Sequence, residues 1–357
     1  MRIAMISTPF LAVPPRGYGG TELVVSELAE GLRGRGHDVT LFATGDSRTS
    51  GVLRSLYPTA QWPPDILTDL NHVSWALRQV VGGTFDVVHA HSAVALAMAR
   101  LLPTLPFVYT LHHERDEALS AFYRYFPGTR FVAISADQAH REVPLPRVEV
   151  IHHGLDPAAY EWSARAHDYL CFVGRFTEVK GPHVAIDVAA RAGLRIRVAG
   201  EVHPPDRAFA EREVEPRLGA SHVTYLGSIG AEVKRPLLRD ARALLAPIQW
   251  HEPFGLILVE AMLSGCPVVA FRRGSVPELV EEGVTGFIVD SADEMAALVR
   301  RRDLLPRFDR LRCRARAVER FGRARMVADY ERCYLRAMSE HADGRSGSRA
   351  PASVRIA

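Results

Sequence analysis

The sequence predicts an α/β protein of two domains, each a mostly parallel sheet covered by helices on both faces. Three observations carry this expectation. Short apolar runs bounded by turn residues alternate with amphipathic segments along most of the chain, and such alternation builds parallel sheets whose crossover helices cover both faces. The alternation lapses in the turn-rich stretch HGLDPAAYEWSARAH (153–167) and restarts at DYLCFVG. The chain has 357 residues, enough for two sizeable cores.

In the first half the strand-like runs are RIAMIS, HDVTLFA, FDVVHA, FVYTLH, RFVAIS and VEVIHH. Between the first two lies TELVVSELAEGLRGRG, an amphipathic helix that starts near Thr21 and ends in glycines. The second half supplies DYLCFVG, LRIRVAG, HVTYLG, ALLAP, PVVAF and GFIVD. Two Rossmann-like domains are the simplest account: residues 1–155, then 156–320. A helix over 321–340 is expected to pack back on the first domain, and the polar tail 341–357 to be disordered. The arginine-rich stretch from Arg300 to Arg336 reads as helix with a solvated basic face, because aromatic residues are sparse and acids intervene.

Composition narrows the function classes. Net charge is +3, with 24% charged and 47% hydrophobic residues, so nothing general points to nucleic acid. Cys171, Cys266, Cys313 and Cys333 lack metal-ligand spacing and read as free thiols of a reducing cytoplasm. No leader-like segment precedes the first strand, and no apolar run reaches membrane-spanning length. A cytoplasmic enzyme is expected, with peripheral membrane contact left open. Only two of the 44 basic residues are lysine, Lys180 and Lys234. A lysine in so arginine-biased a chain hints that a compact ammonium is wanted. That reading is taken for Lys180, while Lys234 is read as chance.

Ligands of open α/β sheets bind beyond the carboxyl ends of the strands. After the first strand comes PPRGYGGTE, whose Gly17, Gly19 and Gly20 precede a helix start, as in a phosphate-approaching loop or an ordinary tight turn. After the first strand of the second half comes VGRFTEVKG. Its Gly174-Arg175 turn and Lys180 put two cations at a strand end, suited to a departing diphosphate. The stretch WHEPFGLILVEAMLS holds Glu252 before a helix and Glu260 on its second turn. Phe254, Gly255 and Leu256 would offer free N–H groups at that helix start. A half-buried carboxylate at 260 suits vicinal ribose hydroxyls, and one at 252 suits sugar hydroxyls; the alternative is that Glu260 pairs with an internal arginine and Glu252 is a solvated loop residue. His89 and His91 alternate and would face one side of a strand. With His112, His113, His152 and His153 they raise a metal site as an alternative, but acidic and cysteine partners are missing nearby and no metal is expected.

These segments together resemble glycosyltransferase family 4, retaining enzymes of the two-domain GT-B fold. Glu252 and Glu260 match its E-x7-E motif, VGRFTEVKG its Arg/Lys motif and GYGGTELV its glycine loop; HGLD and GVTGFIVD are also similar. The resemblance implies parallel sheets facing an interdomain cleft. It implies that Gly19 and Gly20 approach the donor diphosphate, that Arg175 and Lys180 neutralise it, and that Glu252 and the amides of 254–256 hold the sugar. Glu260 would hold the ribose. His112 of Thr110-Leu111-His112 matches a sugar-side histidine, with His113 one register away. The implied reaction moves a sugar from a nucleoside-diphosphate sugar to an unidentified acceptor hydroxyl, without cofactor or metal. A nucleotide-sugar 2-epimerase and a silent sugar-nucleotide binder remain the alternatives, and a covalent role for Glu252 is the mechanistic rival.

Overall fold

The computed structural model describes residues 1–301 and 303–347. The first sheet has seven parallel strands in the order β3-β2-β1-β4-β5-β6-β7. They are β1 (Arg2–Ile6), β2 (Asp38–Phe42), β3 (Val52–Arg54), β4 (Val87–Ala90), β5 (Phe107–Thr110), β6 (Arg130–Ala133) and β7 (Val148–Val150). The second sheet has six, in the order β10-β9-β8-β11-β12-β13. These are β8 (Leu170–Val173), β9 (Ile196–Ala199), β10 (Val223–Tyr225), β11 (Ala243–Ala246), β12 (Val268–Phe271) and β13 (Gly286–Val289). The predicted runs all become strands; β3 was not foreseen. It is three residues long and half exposed at the sheet edge, so it lacks the apolar run that marks the others.

The longer helices are α1 (Gly20–Gly34), α2 (Ile66–Val81), α3 (Pro182–Ala192), α4 (Ala231–Asp240), α5 (Leu256–Leu263), α6 (Ala292–Arg300), α7 (Arg310–Phe321) and α8 (Arg323–Gly347). Period-two alternation splits each central strand between two cores. Ile3 and Met5 pack with Val24 and Leu28 of α1, while Ala4 and Ile6 pack with Val73 and Leu77 of α2. In the second domain Leu170 and Phe172 face α3 and α6, and Cys171 faces α4, α5 and α7. All four cysteines are free and buried.

The chain crosses between domains twice, and the crossings are bonded to each other. The Leu155 N–H donates to the Phe321 carbonyl at 2.9 Å, and the Arg323 N–H donates to the Leu155 carbonyl at 2.8 Å. Helix α8 then lies on the first domain, where Met326, Tyr330 and Tyr334 join the core of α1. It runs on to Gly347, so 341–347 are helical rather than disordered; the remainder of the predicted tail lies outside the described residues.

The arginine-rich stretch also differs from expectation. Arg310 donates to the carbonyls of Ser163, Ala241 and Arg239. Arg314 donates to those of Tyr160, Leu263 and Pro157. Arg325 reaches the carbonyls of His152 and His153 at 2.8 and 2.9 Å. Arg323 pairs with Glu27 and, at 3.0 Å, with Asp156. A guanidinium carries five donors in a fixed fork. Arg310, Arg314 and Arg325 therefore satisfy backbone carbonyls around the domain join and Arg323 pairs with carboxylates there, which one sequence cannot distinguish from a solvated face. Replacing Arg314 by Met should destabilise the fold by about 2–4 kcal/mol, since three acceptors lose their donor. The exposed Arg312→Met should stay within about 0.5 kcal/mol. Urea midpoints of the two variants provide the comparison.

Candidate active site

A cavity of about 340 Å³ is lined by loops that follow β1, β5, β6, β8 and β11, at the carboxyl edges of both sheets. Every residue singled out for the donor lines it: Gly19, Gly20, Gly174, Arg175, Lys180, Glu252, Phe254, Gly255, Leu256 and Glu260. His112 lines it as well, together with His153 of the HGLD segment. His113 is not among the lining residues; its carbonyl accepts a hydrogen bond from Gln138 instead.

Two helix starts converge on this space. The caps of α1 and α5 are Gly19 and Gly255, and neither helix has a side-chain cap. The N–H groups of Gly20 and Thr21 and of Leu256 and Ile257 therefore take no capping side chain and suit an anion, whereas Leu258 N–H donates to the Gly255 carbonyl at 3.0 Å. Gly255 has φ 85°, which a side chain would strain, and a Cβ there would sit 3.3 Å from Glu252 Cγ. A Cβ on Gly20 would lie 3.3 Å from Leu256 Cδ1, so the glycine loop of one domain reaches the helix start of the other.

The two glutamates are built alike. Both are buried, 6% and 4% exposed, and each is paired with one of the chain's two lysines. Lys180 pairs with Glu252, and Lys234 with Glu260 at 2.7 Å. Each carboxylate has a second donor: Trp250 Nε1 to Glu252 at 2.9 Å, and Tyr160 Oη to Glu260 at 2.9 Å. In both cases one oxygen takes both contacts, Oε2 of Glu252 and Oε1 of Glu260. The other oxygen accepts no hydrogen bond among the described residues. The reading of Lys234 as chance is therefore wrong. Tyr160 gave no signal, because it lies in the stretch read as an aperiodic join. Arg175 is more exposed than Lys180 and pairs with Asp206 at 3.4 Å.

The histidines form a neutral stack beside this cavity. His91 Nδ1 lies 2.8 Å from His112 Nε2, and the rings of His112 and His153 stack at 5.6 Å. His89 sits between the hydroxyls of Thr110 and Tyr334, at 2.8 Å from each. Burial lowers all four, His89 and His153 to about 3. All are uncharged at neutral pH.

Two family models together match most of the chain: Glycosyltransferase Family 4 over residues 18–159 and Glycosyl transferases group 1 over residues 164–312. The chain is a family-4 glycosyltransferase. Among similar proteins is the D-inositol 3-phosphate glycosyltransferase of Mycolicibacterium smegmatis, 29% identical over 82% of this chain and 80% of that one. AviGT4, a glycosyltransferase involved in avilamycin A biosynthesis, superposes with TM-score 0.75 at 26% identity over 95% of this chain and 98% of its own. Anabaena HepE, solved with UDP and glucose, has TM-score 0.74 at 19% identity over 93% and 99%. The glycosyltransferase has the GT-B fold. Among its described residues no helix is long and apolar enough to cross a membrane.

Lys234→Met strands a buried carboxylate and should destabilise the enzyme by about 2–4 kcal/mol. Adding Glu260→Leu should restore much of that loss, because removing both partners leaves no unpaired charge. Chemical denaturation of the two single variants and the double variant measures the coupling; strict additivity would mean that the pair does not interact.

Proposed function

We propose that the enzyme moves a sugar from a nucleoside-diphosphate sugar to an acceptor hydroxyl with retention of configuration and without a metal. The observation that carries this is the convergence of two uncapped helix starts, Arg175 and Lys180 on the same cavity as the paired glutamates. Four positive features around one space suit a diphosphate whose charge grows as it leaves. Because those charges belong to the protein, the neutralisation needs no ion. The UDP and glucose named in the Anabaena structure make uridine diphosphate sugars the first donors to test.

In this reading Glu260 turns its free oxygen to the ribose diol, and Lys234 and Tyr160 hold it in place. Glu252 turns its free oxygen to hydroxyls of the transferred sugar. Lys180 carries three protons, so it can keep Glu252 and still donate to a phosphate oxygen. The amides of 254–256 add donors to the phosphate or the sugar. Neutral His112 exchanges a hydrogen bond with a sugar hydroxyl and adds no positive charge beside an oxocarbenium-like carbon. The bond from the anomeric carbon to the leaving phosphate oxygen breaks, the acceptor oxygen bonds on the same face, and the acceptor proton passes to the leaving phosphate. A covalent role for Glu252 is the mechanistic rival, and a glycosyl-enzyme trapped on Glu252 would reveal it.

Enzyme dialysed against a chelator and incubated with a panel of nucleotide sugars should transfer or slowly hydrolyse one of them. Proton NMR of the fresh product should show the donor's anomeric configuration. Inversion, or a requirement for added metal, would contradict the proposal. Lys180→Ala should lower turnover at saturating donor about 10²-fold, as expected for one fixed cation on a developing charge. Glu260→Gln should weaken binding of a ribonucleoside diphosphate more than that of its 2′-deoxy analogue, which keeps only one of the two hydroxyls, as calorimetry would show.

A further inference from the structure

The ends of β4 and β5 carry two histidines that are bonded to each other. His91 follows β4, where its N–H donates to the Ile6 carbonyl at 2.9 Å, and His112 follows the neighbouring β5. His112 lines the cavity and is half-buried, whereas His91 is only 2% exposed. Nδ1 of His91 lies 2.8 Å from Nε2 of His112. The ring of His89 packs on that of His91, with 4.2 Å between centroids, and is itself fixed between the hydroxyls of Thr110 and Tyr334. The other nitrogen of His91, Nε2, is buried and has no hydrogen-bond partner among the described residues.

That orphaned nitrogen decides which way the hydrogen bond runs. Burial lowers the pKa of both rings, so each carries a single proton at neutral pH. A neutral imidazole has one N–H and one bare nitrogen, and the bond made by one fixes the state of the other. If His112 donated from Nε2, the His91 proton would sit on its own Nε2, a buried N–H without an acceptor. The titratable groups that act on His91 are the rings of His89 and His153, not a carboxylate. Both nitrogens of His89 are already bonded to hydroxyls. In folded proteins an unmet buried N–H is rarer than an acceptor left short. The opposite polarity puts the His91 proton on Nδ1, donating to a bare Nε2 of His112, and only a lone pair goes unmet. His112 then holds its own proton on Nδ1, the nitrogen it has left for a ligand.

We propose that His91 is a positioning residue: its Nδ1–H donates to His112 Nε2 and so fixes His112 as the tautomer protonated on Nδ1, a hydrogen-bond donor to the transferred sugar. This reverses the polarity of a histidine held by a carboxylate, whose Nδ1–H goes to the acid and whose Nε2 is left bare as a base. Glu252 can only accept hydrogen bonds from sugar hydroxyls, so a histidine locked as a donor supplies the opposite polarity in the same cavity. The contact with the sugar rests on the reading that the donor occupies this cavity; the tautomer does not.

Long-range proton–nitrogen correlation of the ligand-free enzyme, labelled with 15N-histidine, reads the tautomers. The signals lost in His91→Leu and in His112→Asn assign the two rings. Wild-type His91 and His112 should both carry the proton on Nδ1. In His91→Leu, His112 should shift towards the form protonated on Nε2. His91→Asn, whose amide N–H lies near the place of Nδ1, should keep the wild-type tautomer. With a nucleotide sugar that turns over, His91→Leu should lower kcat about tenfold, the scale of one lost hydrogen bond, with nucleoside-diphosphate affinity within about twofold of wild type. His91→Asn should recover kcat to within about threefold. A purely structural role would cost stability without moving the His112 tautomer. A wild-type His112 protonated on Nε2, an unmoved tautomer in His91→Leu, or unchanged kcat in that variant would overturn the proposal. The wild-type spectrum decides even if His91→Leu does not fold. It also needs no substrate, so an enzyme that shows these tautomers yet turns over no nucleotide sugar would keep the His91–His112 arrangement and refute the donor reading.

Discussion

Two carboxylates buried at the edge of a cavity must be given partners, and this constraint organises the active site. A buried polar group left without a hydrogen bond or a counter-charge is costly. Here Glu252 and Glu260 each receive an ammonium and a neutral donor, both on one oxygen. The arrangement leaves one oxygen per carboxylate for hydroxyl groups. It also explains why this chain, which otherwise writes arginine, keeps lysine at 180 and 234. An ammonium is a compact point charge that pairs with one oxygen, whereas a guanidinium fork tends to engage both.

The rest of the fold serves that geometry. The E-x7-E span places Glu252 in the turn before α5 and Glu260 on its second turn, so one short helix sets both positions and lends its free N–H groups to the space between. Lys180 comes from the loop after β8, Lys234 from α4 and Tyr160 from the domain join. Holding parts from three places to hydrogen-bond tolerance requires a fixed join. Arg310 and Arg314 bind the loops on either side of it, and the paired crossings at Leu155 and Arg323 fasten it to α8. Glu278 of the second domain adds a direct contact, accepting the N–H groups of Ala136 and Asp137 at 2.8 and 3.1 Å.

The strands and the loops that line the cavity were legible because their signals are local. A buried parallel strand is a continuous apolar run, and a glutamate inside such a run is conspicuous. The short edge strand β3 was not legible, because nothing apolar marks three half-exposed residues. The arginine contacts were not legible either. Their partners are backbone carbonyls as much as 173 residues away in sequence, and any residue offers the same carbonyl. Tyr160 and Lys234 meet Glu260 only through tertiary packing. The choice between His112 and His113 also needed the fold, since adjacent residues leave a strand end on opposite sides and only the cavity tells which side matters.

Lysine scarcity allows a direct test of the central claim, that both ammonium groups belong to the donor site. Labelling with 15N-lysine gives a spectrum with two side-chain Nζ signals, one per lysine. Ion pairing with a buried carboxylate should slow solvent exchange enough for both to be seen near neutral pH. Titration with the nucleoside diphosphate that binds best among uridine, guanosine, adenosine and thymidine forms should shift both signals. Glu260→Gln should broaden or move the Lys234 signal selectively. Two rapidly exchanging signals that ignore a bound nucleotide would contradict the account.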